Sequence, residues 1–111
     1  MLIDGYDYRF AYTVGAFCAI TDLKLPVPKT LADQCKTIMQ MAVIMNKAYE
    51  DRQKLANPSY TPKYLTRDRL NALDVKDIVN KLSPEVNDAV AEGKYRLVEA
   101  EPKKQEGAED R

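Results

Sequence analysis

Residues 31–56 run without a proline or a glycine, and their apolar residues recur at the spacing of one helical face. Leu31, Cys35, Ile38, Ala42, Met45 and Tyr49 follow one another at steps of four, three, four, three and four, the repeat of an amphipathic α-helix. Thr30 is suited to cap its start, and Asn57-Pro58 closes it. At 1.5 Å per residue such a helix is roughly 40 Å long. One rod of that length in a chain of 111 residues obliges the rest to pack around it. Asp33, Lys36, Thr37, Gln40 and Lys47 mark its polar side, with Val43 and Ile44 on the flanks. The stretch 39–45 is therefore apolar nearly all round, the pattern of a helix buried on more than one side. Two readings stay open for it. Either the other elements cover it, or Met39, Met41, Val43, Ile44 and Met45 form a partner-binding or self-association surface, a use to which flexible methionine side chains are suited.

The flanking segments predict an N-terminal β-hairpin and several short helices. Asp4-Gly5 is a two-residue turn signal, because that turn needs positive φ. After it, Tyr6, Tyr8, Phe10 and Tyr12 alternate with Asp7, Arg9, Ala11 and Thr13, a period of two with one aromatic face. A lone hairpin is marginal in water, so a helix is expected to cover that face. Thr13 caps a first helix over about 14–25, with Val14, Phe17, Ile20, Thr21 and Leu23 as a modest apolar stripe, ended by Pro26 and Pro28. The loop 57–62 holds two prolines, and Tyr60 and Tyr64 are expected to pin it. Thr66 caps a helix over about 67–72, with Leu65 and Leu70 as a hydrophobic staple. Asp74 caps 75–82, where Val75, Ile78, Val79 and Leu82 form a stripe, with Leu73 and Ile78 as its staple. Ser83-Pro84-Glu85 starts a last helix, Val86, Ala89 and Val90 face inward, and Gly93 stops it. Tyr95, Leu97 and Val98 are expected to add a short strand or a contact. The reading is thus α+β: one mostly helical domain over 1–98, with a disordered charged tail over 99–111.

Composition narrows the function classes. Seventeen basic and seventeen acidic residues cancel, against a phosphate-neutralising nucleic-acid binder and a polybasic membrane anchor. No apolar run of about 18 residues exists and no secretory signal is visible, which predicts a cytoplasmic protein. The chain has no histidine, so the commonest general base and metal ligand is missing. Cys18 and Cys35 read as buried, reduced thiols. The single glycines at 5, 15, 93 and 107 make no phosphate-cradling loop. The acidic pairs Asp74 with Asp77 and Glu50 with Asp51 are poor catalytic candidates, the first being better explained as cap and first-turn acid. Residues 64–79 fit a helix-turn-helix outline. Its second helix, 75–82, offers Lys76, Asn80 and Lys81 with Asp77 against them, and 57–93 carries five basic against six acidic groups, the wrong sign for DNA. The reading is no enzyme, no cofactor and no metal.

The whole pattern resembles the small tail assembly chaperones of long-tailed bacteriophages and prophages. The likeness lies in the hairpin Ile3-Asp4-Gly5-Tyr6-Asp7-Tyr8-Arg9-Phe10, the run Tyr12-Thr13-Val14-Gly15-Ala16-Phe17, and the helix end Ile20-Thr21-Asp22-Leu23. A long apolar helix follows, then Leu65-Thr66, Asp77-Ile78, the stretch 86–91, Gly93 and a charged, lysine-containing end; together these span about 2–95. Such proteins act without catalysis in the bacterial host. They coat the long helical tape-measure protein, help bring tail-tube subunits onto it, and leave before the tail matures. Many have a longer frameshifted form. This chain departs in lacking a long acidic stretch at its end. The resemblance implies tape-measure and tail-tube proteins as partners, with homo-oligomers also open, and no catalytic residue to carry over. The alternatives are a structural adaptor at a head–tail or tail-tube joint and, further off, a small DNA-binding regulator.

Overall fold

A computed structural model describes residues 1–100, with side chains through residue 94. The tail expected over 99–111 lies, from residue 101, outside the described residues. The class is α+β: a two-stranded antiparallel hairpin followed by helices. Strands β1 (Leu2–Ile3) and β2 (Tyr6–Asp7) pair Leu2 with Asp7 and Ile3 with Tyr6. Asp4 and Gly5 sit at φ 51° and 82° between them, the doubly left-handed turn that an Asp-Gly pair accommodates.

The strand expected to run to residue 12 ends at Asp7. Beyond it the backbone bonds to a helix instead of to β1. Ala11 N–H donates to the Met45 carbonyl at 3.0 Å, and the Arg9 carbonyl accepts from Asn46 Nδ2 at 2.9 Å. The aromatic face is covered as expected: Tyr8 is fully buried and Tyr6, Phe10 and Tyr12 pack against the core. Ala11, assigned to the outer side, is buried too, because its backbone lies on the helix.

That helix is α2 (Leu31–Ala56), with Thr30 Oγ1 accepting from Asp33 N–H. Before it comes α1 (Val14–Leu23), capped by Thr13 and closed by Lys24 in the left-handed region. After the loop comes α3 (Arg67–Asn71), whose cap Thr66 accepts from Arg69 N–H. Leu65 and Leu70, the expected staple, are both buried.

The C-terminal third differs from expectation. Asp74 stands at the start of α4 (Val75–Asp77), but its side chain makes no capping hydrogen bond. Its carbonyl takes the Asp77 and Ile78 N–H groups instead. Ile78–Leu82 then widen into a π-helical turn and α5 (Ser83–Ala100) continues directly. Pro84 thus does not begin a separate helix; it lies inside a continuous helical run. Proline donates no hydrogen bond and crowds the carbonyl four residues back. The wide turn just ahead, where Ser83 N–H reaches the Ile78 carbonyl, is the kind of local adjustment that admits it. The turn also changes the buried stripe. Ile78, Leu82 and Val86 face the core, whereas Val75 and Val79 are exposed.

Gly93 does not stop α5. A Cβ there would lie 2.5 Å from the Tyr12 carbonyl oxygen and 2.6 Å from its Cβ. The residue is a glycine because the chain after the hairpin crosses the helix at that point. Residues 95–98 continue α5, so they add no strand. The core gathers Ile3, Tyr8, Met45, Leu65, Leu70, Ile78, Leu82 and Val86 around the middle of α2.

Candidate functional site

Two polar side chains occupy the middle of the core. Asn46 is 0% and Glu50 1% exposed, one turn apart on α2. Asn46 donates to the Arg9 carbonyl, and its Oδ1 accepts from Leu65 N–H at 2.7 Å. Glu50 Oε1 accepts from Tyr60 Oη and from Lys63 N–H, both at 2.8 Å. The two residues staple the segments 8–12 and 60–65 to the helix by taking up the Arg9 carbonyl and the Lys63 and Leu65 N–H groups, beside the backbone bond from Ala11 to Met45. Tyr6 lies against Tyr60 hydroxyl to hydroxyl at 3.5 Å. That hydroxyl and the Glu50 carboxylate hold the Tyr60 phenol well above its usual range.

Around this node the surface is tied by charge. Asp51 accepts from Lys47 Nζ and Tyr64 Oη, each at 2.6 Å. Those two donors, Lys47 first, keep its carboxyl below the usual carboxylate range. Tyr60 and Tyr64 therefore pin the loop as expected. Glu50 and Asp51 are both spent on hydrogen bonds. Among the described residues no group of histidine, cysteine, aspartate or glutamate could hold a metal.

The methionine-rich stretch divides. Met39 and Met45 are buried in the core, so neither can serve as surface. Met41, Val43 and Ile44 are half-buried and pack against that core. α1, α3, the π-helical turn and α5 all pack on α2 and cover it more fully than the helical wheel alone implies. Ile44 borders a groove, together with Gly15 and Ala19 of α1 and Ala48, Arg52 and Leu55 of α2. The groove has a volume of about 460 Å³.

Exposed apolar side chains are spread over the molecule, Leu2, Val75 and Val79 among them, and α1 carries three in one short helix. Its sequence, Val14 to Leu23, holds a single charged residue, Asp22. Yet only Ala16 is buried and only Ile20 half-buried. Val14 is 60% and Phe17 46% exposed, and Cys18, Ala19 and Leu23 are exposed as well. Val27, Leu31 and Leu55 extend the apolar surface on the linker and both ends of α2. Phe17 keeps one inward contact, an edge-to-face approach to Tyr12 at 6.0 Å between centroids. The apolar stripe expected on α1 is present, but most of it faces outward. Helical periodicity marks such a stripe without telling which neighbours remain to cover it. Cys18, expected to be buried, is an exposed free thiol on this face, and Cys35 is half-buried and free.

The arrangement suits adhesion. An apolar helix flanking an open groove can take the apolar face of another helix. Among the described residues no helix is long and apolar enough to cross a membrane. In comparisons with known proteins the chain matches no family model, no curated protein and no solved structure.

Proposed function

We propose that this chain works without catalysis, as a tail assembly chaperone of the long-tailed phage type that lends apolar helical surface to the tape-measure protein during tail-tube assembly. The observation that carries the reading is α1, a ten-residue, almost uncharged helix with one buried side chain. Exposed apolar patches on monomeric proteins mark interaction sites. A client built as a long amphipathic helix offers the matching apolar face. The two buried methionines leave the proposed surface; Ile44 stays in it as a wall of the groove.

The test is an aggregation assay with a purified tape-measure protein of a long-tailed phage. The intact chaperone is expected to keep it in the supernatant. Phe17→Asp with Val14→Asp is expected to leave it in the pellet while the variant itself stays folded. Equal protection by the double variant would contradict the proposal.

A further inference from the structure

Gly15 has no explanation within its own chain. Gly5 supplies a positive φ, and Gly93 makes room for Tyr12. Gly15 has no positive φ, lies in the first turn of α1, and a Cβ added to it would meet nothing nearer than Thr13 Oγ1 at 3.9 Å. Glycine in a helix is costly by up to about 1 kcal/mol relative to alanine. Its remaining use is to let another backbone come close. The open space beside it is the groove between α1 and α2.

The charges around that groove are complementary within one chain. Lys47, Asp51 and Arg52 line it; Lys47 and Asp51 are paired with each other at 2.6 Å, which leaves the Arg52 side chain as the charge without an ion pair or hydrogen bond there among the described residues. Asp22, the single charge of α1, stands seven residues from Gly15, hence on the same helical face, and is likewise without a partner among the described residues. The two are not joined to each other.

We infer that the occupant of the groove is α1 of a second copy, in a two-fold antiparallel pair that crosses at Gly15 and Ala19. In that arrangement the Asp22 end of one α1 comes to the Gly15 end of the other, where Arg52 waits. Each copy fills the other's groove, so the Gly15–Ala19 side of both α1 helices is covered in one contact, while Phe17, about 200° round the helix from Gly15, is left outside it. A closed two-fold pair also uses the same patch twice, with no unsatisfied end to propagate. The pairing stands independently of the client. Where both hold, the second copy is the resting occupant and a client helix competes for the same face.

Sedimentation equilibrium of the full chain alone, with no client present, tests this. The parent is expected at twice the 12.6 kDa chain mass at tens of micromolar, reverting to monomer on dilution. Gly15→Leu is expected to be monomeric with unchanged helical circular dichroism. Asp22→Arg and Arg52→Asp should each weaken the dimer about tenfold, and the double exchange should restore it, as for a charge pair across an interface. A monomeric parent throughout, a dimer indifferent to Gly15→Leu, or a double exchange no better than the single ones would overturn the pairing. Because no client enters the experiment, such a failure leaves the chaperone reading to its own assay.

Discussion

The middle of α2 and the whole of α1 invert the usual arrangement in opposite directions. On α2, Asn46 and Glu50 are polar and wholly enclosed; on α1, Val14, Phe17 and Leu23 are apolar and open to solvent. The difference lies in what each side chain has to satisfy. Asn46 and Glu50 sit where two extended segments press their backbone against a helix, and each replaces a hydrogen bond that no secondary structure could supply. A buried polar group with its partners in place costs little, and without them it costs much. On α1 only Ala16 and Ile20 reach the core and Phe17 meets Tyr12 edge to face, while Val14 and Leu23 stay exposed. The polar node thus holds the fold together, and the exposed apolar face is the kind of surface that marks interaction sites.

Breaking the node should have the largest effect. Asn46→Ala strands the Leu65 N–H and the Arg9 carbonyl in the core and is expected to lower the unfolding free energy by about 2–4 kcal/mol, read from urea titration. A stabilised variant would mean that the node serves something other than the fold. Next comes the crossing at Gly93. Gly93→Ala drives a methyl group to within 2.5 Å of the Tyr12 backbone, and overpacking of this kind costs about 1–3 kcal/mol, visible as a lower melting temperature. An unchanged melt would show that α5 and the segment at Tyr12 separate easily.

The α1 face should respond in the contrary sense. Gly15→Ala meets no obstacle and is expected to raise stability by about 0.5–1 kcal/mol in a dilute, monomeric sample. A destabilised variant would show that Gly15 serves its own chain. The smallest effect belongs to the surface pair beneath the groove. Asp51 is held below its ordinary value of 3.8 by Lys47 and Tyr64. A lowered carboxyl contributes stability above its unfolded pKa, and the contribution is lost as pH falls through the folded value. Asp51→Asn should therefore flatten the acid limb of the stability profile below about pH 4, by only about 0.5 kcal/mol because the pair is exposed.

What could be read in the chain beforehand was local. The turn at Asp4-Gly5, the threonine caps at 13, 30 and 66, and both ends of α2 depend on residues a few positions apart, so their chemistry is visible in sequence order. Most of the errors are non-local. Gly93 has the appearance of a helix stop, but its reason lies 81 positions away in Tyr12. Asn46 looks like one more polar residue on a helix, yet its partners are Arg9 and Leu65. Pro84 after Ser83 reads as a helix start, and the π turn that absorbs it leaves no sequence mark of its own. Of the five residues favoured as a partner surface, Met39 and Met45 went to the core because the later helices fold back onto α2, while α1 was left with exposed apolar side chains.

Cys18 offers a direct probe of that face, since it is an exposed thiol on α1 while Cys35 is half-buried. The measurement is maleimide labelling read peptide by peptide in a mass spectrometer, on dilute protein with and without the tape-measure protein. Rapid labelling of Cys18 alone, and strong protection of Cys18 but not Cys35 when the client is added, is the expected result. Labelling of Cys18 at the same rate in both samples, with the client held in solution, would place the binding surface elsewhere and contradict the role given to α1.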